Sequence, residues 1–237
     1  VIGVTMKLWQ DDDDELIENE GGCCSLAAVE DARRVADRIG IPFYVLNFSD
    51  VFKQKVIEPF IDEYLNGRTP NPCIACNKHI KFDDFFNKAR QIGCDYVATG
   101  HYAKIKNGYL CKPKDKTKDQ TYGLCLLPKA WLSRIIFPLQ DLTKDQVYAI
   151  AQKQDFDFFS KTKQSQDFCY VSGSDISKFI EKELGKKPGK IVDISGKVLG
   201  NHNGLWFYTL GQRKGLGRDG KRYFVWSIEI SYCDHDH

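Results

Sequence analysis

What most limits the fold of this chain is the alternation of strand-like and helix-like stretches through residues 1–99. Residues 1–9 are β-branched and apolar, as a buried strand is. Leu26, Val29, Ala32, Ala36 and Ile39 then recur at helical spacing behind Ser25, a natural N-cap, until Gly40 and Pro42 end the run. Residues 43–48 read as a second strand. The stretch 50–66 reads as a helix that Pro59 kinks or splits and Gly67 stops. A helix over 77–92, with Ile80, Phe85, Ala89 and Ile92 on one stripe, leads through Gly93 into a strand at 95–99. Units of this length predict an α/β fold, a parallel sheet covered on both faces.

Downstream the pattern changes. Asn107-Gly108 between apolar runs predicts an antiparallel hairpin, and Thr143-Lys-Asp-Gln146 is a capping box opening another helix. From Gly189 onward short strands at 190–194, 198–199, 205–210 and 223–230 alternate with Gly-rich turns, marking a second, β-rich domain. We therefore expect a larger domain from 1–136 with 158–175 and a smaller one from 137–157 with 176–237.

A net charge of +2, with 34 basic against 32 acidic residues, leaves any nucleic-acid surface local to one patch. No apolar run reaches the ~20 residues of a membrane span, so the expected setting is cytoplasmic, with no membrane partner. Nine cysteines, odd in number and irregularly spaced, argue for reduced thiols over a secreted disulfide framework. Cys94, Cys111 and Cys125 lie among apolar neighbours and are expected in the core.

The chemistry centres on Cys73-Ile-Ala-Cys76, inside the run Gly67-Arg-Thr-Pro-Asn-Pro-Cys-Ile-Ala-Cys-Asn-Lys-His-Ile-Lys-Phe82. Zinc is the weaker use, because a second Cys-x-x-Cys or a close His pair is missing. A redox pair remains open, and so does a nucleophilic thiolate. The latter is favoured by a helix start expected at Asn77 and by Lys78 and Lys81, which would depress a thiol pKa. Ala98-Thr-Gly-His101 ends a strand, where open α/β sheets bind ligands, although a plain turn with an exposed His fits equally well. Lys118-Asp-Gln120 suits a phosphate or base-edge contact and also suits ordinary solvated surface. The basic, Gly-rich stretch 211–217 is either a phosphate-contacting loop or a hairpin turn.

Taken together and in order, residues 5–9, 22–25, 67–82, 98–102, 118–120, 165–169 and 208–217 resemble the bacterial tRNA-specific 2-thiouridylases of the MnmA/TrmU type along nearly the whole chain. The resemblance implies a doubly wound, adenine-nucleotide α-hydrolase-like sheet of the PP-loop ATPase type. It also implies ATP-dependent replacement of the C2 oxygen of the wobble uridine, position 34 of tRNA, by sulfur. By position, Cys169 is the persulfide carrier and Cys76 its partner nucleophile, with a Cys76–Cys169 disulfide as by-product. Met6 and Gly100 match ATP-contacting positions. Asn71, Pro72 and Cys73 fall beside the target base, and His101, Lys118, Asp119 and Gln120 match tRNA contacts.

ATP, with Mg2+, is the implied cofactor. Implied partners are the Lys, Glu and Gln tRNA isoacceptors and a sulfur-relay protein or cysteine desulfurase. Cys73 stands where many members of that family carry an acid–base Asp. Cys73, Cys76 and Cys169 thus form a candidate ligand set for a [4Fe-4S] cluster, or the chain is a non-catalytic tRNA- or cluster-binding piece. The family's Ser-Gly-Gly pyrophosphate loop and its C-terminal β-barrel have no counterpart in these residues, so the chain alone is expected to hold ATP poorly.

Overall fold

The computed structural model of the chain describes residues 1–8, 26–156, 176–216 and 222–230. Ser25, Cys23, Cys24, Cys169 with its flanks 165–168, and the tail 231–237 lie outside the described residues. The chain forms two compact units, one from Val1–Val56 with Pro72–Gly173 and one from Ile57–Asn71 with Ser174–His237.

In the first unit, β1 (Gly3–Lys7) and β2 (Phe43–Asn47) pair in parallel, Gly3 opposite Phe43 and Lys7 opposite Asn47. Between them runs α1 (Leu26–Ile39), which ends as Gly40 adopts φ +69° and Ile41 N–H bonds back to Ala36 O at 3.0 Å. That pair of features is the left-handed helix stop that glycine allows without strain. A second parallel pair joins β3 (Val97–Ala98) to β6 (Ile135–Ile136). The expected hairpin is present as β4 (Lys104–Lys106) and β5 (Tyr109–Cys111), turned by Asn107 at φ +53° and Gly108 at φ +74°. Positive φ at both central residues is the turn whose twist matches the strands.

The described strands form four separate two-stranded sheets, two of them parallel. The α/β character and parallel pairing stand, without a continuous doubly wound sheet among the described residues.

Helical segments depart from the expected registers. The stretch 49–65 runs as α2 (Ser49–Phe52), a π-helical Lys53–Ile57, and α3 (Glu58–Leu65), so Pro59 sits in the first turn of α3. The wider π turn accommodates a residue that cannot donate to the turn before it. The next helix starts at Pro72, not Asn77: α4 (Pro72–Ala75) passes into a π-helical Cys76–Asp84 and then α5 (Phe85–Gln91). Because π turns rotate the stripe, Ile80 and Ala89 stay buried while Ile92 is 48 % exposed and Phe82, 1 % exposed, joins the core instead. That core comprises Phe82, Ala103, Leu124, Leu132, Ile135 and Phe137. Cys94, Cys111 and Cys125 lie outside it, the first two half-buried and Cys125 exposed, because the apolar runs around them turn larger side chains inward. The capping box forms as expected: Thr143 Oγ1 accepts from Gln146 N–H at 3.3 Å and Gln146 Oε1 accepts from Thr143 N–H at 3.0 Å, opening α6 (Lys144–Lys153).

In the second unit, α3 and α7 (Ile176–Leu184) bury Phe60, Tyr64 and Ile180 around Trp206. β7 (Gly189–Val192) pairs antiparallel with β8 (Val198–His202). A Cβ at Gly189 would stand 2.5 Å from the His202 ring, so any larger residue there would push that ring aside. Residues 205–207 form a 3-10 turn and not a strand, which turns Trp206 inward so that its Nε1–H reaches Gly185 O at 3.2 Å. Residues 222–230, expected as a strand, carry no strand assignment; within them Val225 O accepts from Gly211 N–H at 2.8 Å and Val225 N–H donates to Gln212 O at 2.9 Å.

Candidate active site

The run 67–82 belongs to both units. Its first residues are held in the second: Gly67 ends α3 at φ +66°, Arg68 N–H returns to Glu63 O at 2.9 Å, and Thr69 Oγ1 meets Thr209 Oγ1 at 3.1 Å. Its remainder, from buried Pro72 onward, belongs to the first. Asn71, at the junction, is exposed.

Cys73 lies in the first turn of this helix and Cys76 opens its π-helical segment, so one spacing of three puts one thiol residue at the surface and the other, 5 % exposed, inside. Starting the helix at Pro72 changes the expected electrostatics. Cys73 counts as exposed by residue, yet desolvation around its sulfur pushes the thiol up, and Lys81 opposes that only in part. The depressed pKa expected from a helix start at Asn77 is therefore absent at Cys73.

The helix is tied to the segments bearing the other candidate residues by two contacts. Phe82 packs its ring 5.9 Å from that of His101, and both rings meet Phe137 at 6.2 Å. Asn77, 5 % exposed, donates Nδ2–H to Gly123 O at 2.8 Å, while its Oδ1 is buried with no hydrogen-bond partner. Reversing the amide would set two acceptors against each other, so Gly123 fixes which end stays unsatisfied. The sequence marked Asn77 only as a helix start; the signal for its buried role was a side-chain amide directly after the second cysteine in a helix otherwise split between apolar and basic residues.

His101 is not the exposed turn residue that a plain turn would give. Burial, with the Lys81 charge adding to it, pushes its pKa down to about 3. The ring is thus neutral at pH 7, with Nδ1 2.8 Å from Thr99 Oγ1. Gly100 just before it has Leu139 Cδ1 3.9 Å from a would-be Cβ, leaving ordinary room above the end of β3. Met6, the other candidate nucleotide contact, lies in β1 opposite Leu46.

Gln120 locks its loop to the His101 turn: its Oε1 accepts from Tyr102 N–H at 2.8 Å and its own N–H donates to Tyr102 O at 3.0 Å. Asp119 accepts from Thr121 N–H and Oγ1–H at 2.9 and 2.6 Å, which holds its carboxyl below the usual range. Lys118 ends a 3-10 turn started by Asp115. Thus Cys73, Cys76, His101 and the 118–120 loop are gathered around one helix. In the second unit, Gln212 closes the 211–216 loop on Thr209 through bonds of 3.1 and 2.9 Å, a structural use of that motif.

Two family models match the chain: the tRNA methyl transferase HUP domain over residues 1–173 and the tRNA methyl transferase PRC-barrel domain over 177–233. The chain belongs to this family. Among its curated relatives is the tRNA-specific 2-thiouridylase MnmA of Clostridioides difficile, 58 % identical over 96 % of this chain and 65 % of the relative. That of Clostridium acetobutylicum is 53 % identical over 97 % of this chain and 66 % of the relative. MnmA 2 of Caldanaerobacter subterraneus subsp. tengcongensis is 52 % identical over 97 % and 65 %. The chain spans about 65 % of the length of these relatives. Among the described residues no helix is long and apolar enough to cross a membrane. No group of three His, Cys, Asp or Glu side chains among them is placed to hold a metal ion.

Proposed function

We propose that this chain is the greater part of a tRNA 2-thiouridylase, a sulfurtransferase acting on the wobble uridine, position 34, in the cytoplasm. The observation that carries this reading is the packing of the two-cysteine helix directly against the His101 turn, with the 118–120 loop bonded to that turn in both directions. It is supported by relatives at 51–58 % identity that bear the 2-thiouridylase name. ATP, with Mg2+, supplies the adenylyl group that turns the C2 oxygen of uridine into a leaving group, with Met6 and Gly100 as its contacts in a doubly wound PP-loop-type sheet.

In this reading Cys169 carries the sulfane sulfur. Its terminal sulfur attacks C2 and expels AMP, leaving C2 bonded through sulfur to the Cys169 sulfur. The Cys76 thiolate then attacks the Cys169 sulfur, the C2-bound sulfur leaves with the electron pair as the 2-thiouridine, and a Cys76–Cys169 disulfide remains. The burial of Cys76 suits a thiol that must meet this intermediate and not bulk oxidant. Neutral His101, Lys118, Asp119 and Gln120 border the RNA, and Asn71, Pro72 and Cys73 border the base. Wobble uridines of the Lys, Glu and Gln isoacceptors are the substrates, and a relay protein or cysteine desulfurase supplies the sulfur.

The test is to quantify 2-thiouridine in tRNA from cells relying on the full-length protein, its Cys76→Ala form or its Cys169→Ala form. Loss in both is expected; undiminished thiolation in either removes that thiol from the mechanism. A second reading comes from Cys73, which adds a third cysteine to the set. With Cys76 and Cys169 it would ligate a [4Fe-4S] cluster, for which the described residues offer two of the ligands. Anaerobically purified protein would then carry iron and broad visible absorbance, and colourless, iron-free, active protein excludes it.

A further inference from the structure

On the first unit, a cavity of about 230 Å³ opens between α5 and the 3-10 segment Lys129–Arg134. Its walls include Phe86 and Trp131, with Asp83, Asn87, Arg90 and Arg134. Phe82, which also packs against the His101 ring, lines it as well. None of the cysteines, and none of the residues given roles in thiolation, is among its lining residues.

Its chemistry has three parts. Two aromatic faces stand in one small space, with the Arg134 guanidinium carbon 6.0 Å from the centre of the Phe86 ring. Arg90 and Arg134 are both exposed, and neither is in an ion pair among the described residues, so two fork-shaped cations are available to an anion. Finally, Asn87 Nδ2–H donates to Asp83 Oδ1 at 3.1 Å, which leaves a carboxylate and an amide oxygen as acceptors. The volume is below the ~300 Å³ at which pockets begin to take drug-sized ligands, so one planar ring enters and an attached phosphate stays at the rim. Aromatic and guanidinium faces flanking an unstacked base, with its phosphate on arginine, are how proteins hold single-stranded RNA. Acceptors at the edge select bases presenting an amino group.

We propose that this cavity is an accessory RNA subsite that holds one unpaired, amino-bearing base (adenine, cytosine or guanine), with the adjoining phosphate on Arg90 and Arg134. It rests on the tRNA-modifying reading above and adds to it a site distinct from the one that takes the target uridine, a base lacking an amino group. Asp83 weighs against an acidic peptide as the occupant, since it would face the peptide's carboxylates.

The test uses the full-length protein with unmodified tRNA and with oligo(A), oligo(C) and oligo(U) single strands. Arg90→Gln with Arg134→Gln should weaken tRNA binding about tenfold and lower the slope of log affinity against log salt by about 1–2. Oligo(A) and oligo(C) should quench Trp131 fluorescence more than oligo(U) does, a signal lost in Trp131→Phe. Asp83→Asn should bring the three strands to within about threefold of each other, erasing the base preference. Unchanged tRNA affinity and salt slope in the double variant, in a protein that still makes 2-thiouridine in cells, overturns the subsite and leaves the function standing. Absence of both tRNA binding and 2-thiouridine in the wild type overturns the function and the subsite together. Binding of an acidic peptide with no response to RNA overturns the subsite as well.

Discussion

The depressed pKa of His101 makes acid the most direct probe of how the candidate site is built. In the unfolded chain its imidazole takes a proton near pH 6.5, whereas in the folded protein burial, and secondarily Lys81, delay this to about 3. Between those values the unfolded chain binds a proton that the folded protein refuses, so stability falls as the pH falls. Above pH 6.5 both states are neutral and the contribution vanishes; below the folded value the loss levels off. The slope is about 1.4 kcal/mol per pH unit in the middle of the window, or about 2.5 kcal/mol between pH 6 and pH 4.

His101→Gln keeps a polar partner for Thr99 and cannot titrate. Urea unfolding of wild type and variant at pH 7, 6, 5 and 4 therefore isolates the term, because His79 and His202, both also pushed down by burial, contribute equally to each protein. The stability advantage of wild type should shrink by about 2.5 kcal/mol from pH 6 to pH 4. A difference that stays constant over this range would mean that the ring titrates normally in the folded protein, and the packing of Phe82 and Phe137 around it would not be what keeps His101 neutral.

Alkylation of Cys73 by iodoacetamide in the reduced protein should be slow at pH 7 and accelerate past pH 9, and Lys81→Gln should slow it further, since that lysine is the group lowering the thiol; faster alkylation in the variant refutes the assignment. A double-mutant cycle on Lys55 and Asp84, bonded at 2.9 and 3.0 Å with side chains 35 % and 25 % exposed, should return a coupling of about 1 kcal/mol that declines in 1 M salt. Thr143→Ala removes half of the capping box and should cost about 1 kcal/mol by urea unfolding. Loss below a few tenths would show that Gln146 alone holds the end of α6.

Signals carried by neighbouring residues were legible in the sequence. Asn107-Gly108 specified its hairpin because only certain residues tolerate positive φ in succession. Thr143 and Gln146 specified a cap, and the apolar stripe ending at Gly40 and Pro42 specified α1. In the second unit, residues 205–207 misled: read as a strand by composition, they turn tightly because Trp206 gains more from burial against Phe60, Tyr64 and Ile180 than from a ladder. The helix start at Pro72 was hidden because proline reads as a breaker, though in a first turn its missing N–H costs nothing.

The candidate site divides along the same line. The residue types and their order, Cys73 to Cys76, the Thr-Gly-His turn and Lys-Asp-Gln120, were set by sequence alone, since family motifs and the bonds available to a side chain are properties of the chain. Long-range packing decided the rest. Phe82 came inward through a π-helical register and placed the two-cysteine helix on His101; enclosure made that histidine neutral and raised the Cys73 thiol; Gly123 left one oxygen of Asn77 unsatisfied. Desolvation and ring packing depend on what the rest of the chain brings close, which local spacing does not encode.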